Sequence, residues 1–426
     1  MKAILKNSML ATTMLLGITV FGQGGDRSLD NFNDVGKKGV NVFEAPKTVD
    51  YTFDGLKVRI GGASTLQFQG VNHENSGAVS IVDIGDNFNL ATANLDLDVA
   101  LAKGMRMHLR TYLSSRHHNE PYVKGGYLQI DQLDFIQEGL FEDVMKYVTI
   151  KVGHMENNYG DAHFRRTDNA FATHNPFVGN LIMDAFTTEV GAEVYYRNNG
   201  WLAMLGATNA KLNQSVEDPG KTKASVMAKL GFDKQLNDDL RIRLTGSAYH
   251  NNKVANSYLY TGDRSGARYY SVLDEDETAT GGINKADFRT GRYNPNLKNE
   301  ITALMFNPFL KYKGFEFFGT LESSSGKIST EADNRVANQY AGELLYRFGS
   351  NERYYLGSRY NKVAAEDATY GDVDIDRIQV VAGMFLTNNI LAKLEYVSQK
   401  YDGFGSTSEY EEGKFNGIML EAAISF

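Results

Sequence analysis

From Leu56 onward, apolar and polar residues alternate in short blocks instead of recurring every three or four positions. Such period-2 alternation marks strands with one apolar face, and no helical periodicity accompanies it. The clearest blocks are Leu56–Val71, Leu90–Leu101, Met105–Arg116, Ala224–Lys234, Leu240–Tyr249, Ile375–Leu386 and Ile390–Gln399. Further blocks fall at Val123–Leu133, Tyr147–His154, Thr187–Arg197, Trp201–Ala210, Glu300–Tyr312, Phe315–Ser323, Val336–Phe348 and Arg353–Lys362. A closing block places Ile418, Leu420, Ala422, Ile424 and Phe426 on one face. The count is about sixteen, each block roughly as long as a tilted membrane-crossing strand, and an even number suits a closed antiparallel barrel.

The connections alternate too. Short ones occur at Ala102-Lys103-Gly104, Asn198-Asn199-Gly200, Lys313-Gly314 and Thr387-Asn388-Asn389, where Gly and Asn supply the positive φ of tight hairpins. Between them lie long stretches such as Asn72–Phe88, Met155–Phe186, His250–Asn299 and Tyr401–Lys414. Short periplasmic turns and long outer loops are the usual barrel asymmetry. The Gly104 hairpin predicts Leu101 opposite Met105, Val99 opposite Met107 and Leu97 opposite Leu109, with Asp98–His108 and Asp96–Arg110 on the other face. In a membrane a charge facing lipid at mid-depth costs ~2–4 kcal/mol, so the charged face would line water. In a soluble sheet the apolar face would be the core, and it is repetition of the pattern around some sixteen strands that favours the barrel.

The start of the chain supports export. Lys2 and Lys6 precede the apolar run Met9–Phe21, and cleavage is expected after Gly22. The chain thus divides into a signal peptide (1–22), a periplasmic N-terminal segment (23–55) and a transmembrane β-barrel (56–426). Absence of cysteine removes disulfides and anchoring through an N-terminal Cys. The 24 Tyr and 24 Phe suit the aromatic girdles of a barrel. A net charge of −8 argues against a general nucleic-acid binder.

Inward positions decide the function. The wall candidates are Arg59, Arg106, Arg110, Lys229, Arg241 and Arg243, with Lys57 and Arg353 also on the inward parity. Acids share the wall at Asp96, Asp98, Glu189, Glu193, Glu316, Glu322, Glu343 and Glu395. About sixteen strands enclose a lumen wide enough for an aqueous channel. Among the loops, Met155–Phe186 mixes both charges with aromatics at Glu156, Tyr159, Asp161, His163, Arg165, Arg166 and Asp168. These are the candidate constriction residues.

The strand plan and the place of this loop after the fifth strand resemble sixteen-stranded outer-membrane porins. The block running from Tyr127-Leu-Gln129-Ile-Asp131 through Val148–Gly153 to Tyr159-Gly160 is similar to the phosphate-selective porin O/P family. Gly153 and Gly160 match that family's strand-closing and loop-opening glycines, whereas Asn158 stands where its Pro is expected. The resemblance implies a Gram-negative outer-membrane porin, passive diffusion of small hydrophilic solutes or anions, a third external loop folded into the lumen, and contact with lipid and lipopolysaccharide. A homotrimer follows by analogy with general porins. Acids flank Arg165 and Arg166 and no Lys cluster is present, so phosphate specificity is not carried over.

Other chemistries find less support. Neither a cofactor nor a metal is expected: His117-His118-Asn119-Glu120 are adjacent on an extended chain and point apart, and Asp274–Glu277 lacks calcium-loop spacing. Catalytic residues are not identified either, because a nucleophile elbow and a His-Glu-x-x-His motif are both missing. The alternative is a barrel enzyme of the phospholipase or protease class, with His163 or His174 in a triad. The roughly 30 residues between the expected cleavage site and Leu56 are too few for the plug domain of an active transporter. Weak anion preference is expected from the basic wall despite the acidic total.

Overall fold

The computed structural model describes residues 29–50, 52–88, 92–114, 122–166, 171–211, 222–261, 269–280, 282 and 289–426. The signal peptide, Asp168 and the His117–Glu120 run lie outside the described residues. The strands are β1 (Lys57–Glu74), β2 (Thr92–Ala102), β3 (Met105–Ser114), β4 (Tyr122–Ile130), β5 (Val148–Glu156), β6 (Thr188–Asn198), β7 (Trp201–Thr208) and β8 (Ser225–Gln235). They continue as β9 (Leu240–Asn251), β10 (Glu300–Tyr312), β11 (Phe315–Lys327), β12 (Arg335–Phe348), β13 (Tyr354–Asp367), β14 (Gly371–Thr387), β15 (Ile390–Asp402) and β16 (Lys414–Ser425). All pair in chain order in one antiparallel sheet, with the two-residue segment Asn87–Phe88 beside β1.

β1 closes the barrel by serving both neighbours. Its first half pairs with β2, from Lys57↔Ala100 to Thr65↔Thr92, and its second half with β16, from Ala63↔Ser425 to Glu74↔Lys414. Phe426 completes the seam: its N–H donates to the Gly62 carbonyl at 2.9 Å and its carbonyl accepts from Gly62 N–H at 3.0 Å. A Cβ on residue 62 would stand 3.0 Å from the Phe426 ring, so glycine permits the approach.

The β2–β3 hairpin pairs Asp98 with His108 and Asp96 with Arg110, as the alternation predicts. A bulge between Ala100 and Ala102 sets Ala102, rather than Leu101, opposite Met105. The outer face is apolar. Leu205 and Leu230 are about 70% exposed, and Leu304, Leu344, Leu356 and Ile378 are more than half exposed. Side chains of that size, alternating with buried charges, suit a hydrocarbon surround. At the short-turn end, Tyr196, Trp201, Tyr312, Phe315, Tyr346, Phe348 and Tyr354 are exposed around the hairpins. Phe315 and Tyr346 lie 4.7 Å apart and Phe348 and Tyr354 5.7 Å, forming an interfacial girdle.

Two features depart from the expectation. The connection 131–147 at the short-turn end carries the one-turn helix α1 (Glu142–Met145) and is not a tight turn. Lys57 and Arg353 do not face the lumen. Lys57 lies at the rim 2.8 Å from Asp54, and Arg353 precedes β13 and donates to the Phe385 carbonyl at 3.1 Å.

Candidate functional site

Three stretches enter the lumen: residues 29–50 from the short-turn end, and 157–187 with parts of 252–299 from the long-loop end. The 157–187 loop starts where Asn157 N–H donates to the Thr187 carbonyl at 3.1 Å, just beyond the β5–β6 ladder. Gly160 follows with φ +69°, and a Cβ there would fall 2.1 Å from Met305 Sδ on β10. Only a residue without a side chain lets this turn press against the wall.

From that turn the loop residues reach the opposite strands. Tyr159 donates to Glu322 at 3.0 Å. Asp161 accepts from Arg243 Nε and Nη2, both at 2.8 Å, and from Thr245 at 2.7 Å, while Lys229 stands 2.7 Å away. Burial would raise the Asp161 carboxyl, but Arg243 and Lys229 hold it at about 2. Arg165 bridges Glu316 at 2.8 Å and Glu343 at 2.9 Å, and Arg166 Nε–H is shared between both carboxylate oxygens of Asp184 at 2.9 and 2.8 Å. Both arginines are about 3% exposed, so their charge anchors the loop. Glu156 meets Arg110 at 3.3 Å, and His163 bonds Asn158 at 3.0 Å.

The wall candidates are largely paired. Arg59 and His108 share Asp98; the first donates through Nε at 2.9 Å and the second lies 2.6 Å away. Arg106 meets Asp131 at 2.7 Å, Arg110 forks onto Asp96 at 2.8 and 2.9 Å, and Arg241 forks onto Asp233 at 2.8 and 2.7 Å. A cavity of about 140 Å³ remains between β1–β6, the loop and the 29–50 segment. Arg59, Arg106, Arg110, Glu156 and His163 line it, whereas Lys229, Arg241 and Arg243 lie across the lumen. Gly153 has φ +138°, and a Cβ there would meet the Gly126 carbonyl at 2.5 Å, so this glycine closes β5 tightly on β4.

No protein-family model and no curated protein matches the sequence; the likeness is in three dimensions. OprB of Pseudomonas putida superposes with TM-score 0.53 at 11% identity, covering 87% of this chain and 94% of that one. An anion-selective porin from Comamonas acidovorans gives 0.52 at 10% identity, covering 87% of this chain and all of the other. The trimer form of OmpT, an outer membrane protein of Vibrio cholerae, gives 0.50 at 12% identity, covering 88% and 100%. The fold is that of an outer-membrane porin.

Within this porin fold, the residues least legible in the sequence come from the interior. Lys151 on β5 lies between the rings of Tyr127 and Tyr195, at 5.3 and 5.1 Å, and lines the cavity. Among the described residues, no carboxylate stands within ion-pairing distance of it. Alternation along β5 is compatible with an inward position for it, but the absence of a direct ion pair, with Glu193 opposite it in register on β6, is visible only in the assembled barrel. The 252–299 stretch likewise reveals a role only in three dimensions, through tyrosines donating to acids inside. Tyr260 bonds Glu322 and Tyr270 bonds Glu395, both at 2.6 Å. Around them Val178, Ile182, Met183, Leu259 and Val272 pack on inward Ile301, Met305, Ile375 and Met419. The outer half of the lumen is therefore packed with apolar side chains set among buried polar groups such as Glu322, Gln339, Arg377 and Glu395, which a uniformly polar, water-filled interior does not anticipate.

His174 yields a pH prediction. Its Nε2–H donates to the Gly36 carbonyl at 3.2 Å, tying the loop to the 29–50 segment, and burial lowers its pKa from 6.5 to about 4. Asp34 acts against that shift and Arg165 with it. The undocked histidine binds more protons between those values, so docking weakens as pH falls from 6.5 toward 4 and is constant above 6.5. Amide-exchange protection of residues 33–40 should drop over that window, and His174→Gln should flatten the dependence. Equal protection at pH 7 and pH 4 in the wild type would refute it.

Proposed function

We propose that the chain is a porin allowing passive diffusion of small hydrophilic solutes and ions, with weak anion preference, and that it is not an enzyme. The carrying observation is a charged cavity of about 140 Å³, roomy enough for several waters, against the wall of a barrel whose exterior is apolar. Most charges bordering it are neutralised in pairs, so the net field is small. Lys151 makes no direct ion pair among the described residues, although Glu193 lies opposite it in register, and it is the group a passing anion would meet. One structural neighbour is described as an anion-selective porin, which supports this reading. The trimer form of another supports a homotrimer, and the apolar exterior is the surface that would meet lipid and lipopolysaccharide. Against an enzyme, His163 and His174, the histidines considered for a triad, are engaged with Asn158 and the Gly36 carbonyl. The Met155–Phe186 loop serves as the constriction in this reading.

Planar-bilayer recording under a salt gradient tests it. Conductance is expected to be low, because three stretches share the lumen. The anion preference should be about twofold at low salt and should collapse in 1 M salt, where the Debye length is about 3 Å. Lys151→Gln should move the reversal potential toward cations. A strongly cation-selective wild type would overturn the anion preference, and absence of conductance in both the wild type and lumen-deleted variants would overturn the channel.

A further inference from the structure

We infer that residues 29–50 plug the periplasmic half of the channel and that Glu44, carried into the lumen by this segment, is a specificity-determining residue that suppresses anion preference. The inference rests on the channel reading above.

The segment is fastened to widely separated parts of the wall. Lys47 meets Asp131 at 3.2 Å and the Val148 carbonyl at 2.7 Å, beside β4 and β5. Asn41 donates to Glu316 on β11 at 2.7 Å. The Val35 carbonyl accepts from Ser425 on β16 at 2.7 Å, and Lys37 N–H donates to the Asn388 carbonyl in the β14–β15 turn at 2.7 Å. Strands β4, β11 and β16 stand around the barrel from one another, so a chain tied to all three crosses the bore. Phe43 is 2% exposed, with its ring 5.3 Å from Phe309 and 5.9 Å from Phe164, and with Arg243 4.3 Å above it. An aromatic buried in this way fixes the depth of the segment.

Glu44 is the electrostatic consequence. Its carboxylate accepts from Arg243 at 2.7 and 3.0 Å and lies 3.4 Å from Lys229. Burial would raise its pKa, but Arg243 and Lys229 hold it well below the carboxylate range, so it is ionised at neutral pH. The cluster holds three cations, Arg241, Arg243 and Lys229, against three acids, Asp161, Asp233 and Glu44. The wall and loop alone would leave one positive charge in excess. The segment cancels it.

Full-length Glu44→Gln and a variant lacking residues 29–50 should be recorded in planar bilayers, with heat-modifiable migration as the check of folding. Glu44→Gln is expected to raise the anion-to-cation permeability ratio about twofold at low salt, and the deletion to raise it similarly while at least doubling conductance. Current in the deletion variant but none in the wild type would also support the plug. A conducting wild type whose selectivity is unchanged in Glu44→Gln would overturn the role of Glu44, and unchanged conductance in a folded deletion variant would overturn the plug. Absence of current in every variant would instead remove the channel reading, and this inference with it.

Discussion

Excising residues 158–186 and joining Asn157 to Thr187 through a short glycine turn is expected to raise single-channel conductance severalfold while the barrel still folds. The geometry permits the cut. Asn157 and Thr187 are bonded to each other at the base of the loop, and β5 and β6 pair up to Glu156↔Thr188, so an ordinary hairpin remains. What leaves is the segment whose Arg165 reaches Glu316 and Glu343 and whose Asp161 holds Arg243 and Lys229. Losing Asp161 also leaves only Glu44 and Asp233 facing three cations, so anion preference should increase together with conductance. Removal of Val178, Ile182 and Met183 uncovers inward Ile301, Met305 and Ile375, at a cost of roughly 1.5–3 kcal/mol for each large apolar side chain exposed. Lower thermal stability is therefore part of the expected result. Unchanged conductance in a folded, heat-modifiable barrel would show that this loop does not limit the pore.

The strands were legible because a membrane barrel repeats one constraint on every strand: hydrocarbon outside, something else inside. All sixteen alternating blocks form strands, and the Asp96–Arg110 and Asp98–His108 pairs follow from counting across Gly104. Strand ends were less legible. β13 continues to Asp367 and β14 begins at Gly371, past the apolar zone, where polar residues such as Glu366, Asp372 and Asp374 no longer distinguish two faces. The interior was legible only in part. Parity gave the inward direction of Arg59, Arg106, Arg110, Lys229, Arg241 and Arg243, but the partner of each depends on which loop reaches it. Parity separates Ile375 from Ile378, but residue type does not: the first is buried inside the lumen and the second is half exposed outside. Burial against a long loop and contact with lipid select the same residue types. The reach of residues 29–50 into the lumen was illegible for a related reason, since Phe43 and Glu44 carry no periodic pattern and act through strands some 200 or more positions away.

Deleting Phe426 is expected to leave most of the protein unassembled, whereas Phe426→Ala should assemble in reduced yield. The closing strand β16 meets β1 along the seam that converts the sheet into a barrel, and an unclosed edge in a membrane leaves backbone groups unsatisfied. Phe426 contributes both a donor and an acceptor to that seam, at 2.9 and 3.0 Å from Gly62. Each such bond is worth about 0.5–1.5 kcal/mol net in water and more where no water can replace it. The alanine variant keeps both backbone bonds and loses only the ring over Gly62, which is about half exposed toward the short-turn girdle. Comparing the two variants separates the backbone closure from the aromatic. Heat-modifiable migration and membrane fractionation supply the readout. Wild-type yield of folded barrel from the deletion would show that the β1–β16 ladder from Ala63↔Ser425 onward is sufficient, and that the last residue is dispensable for closure.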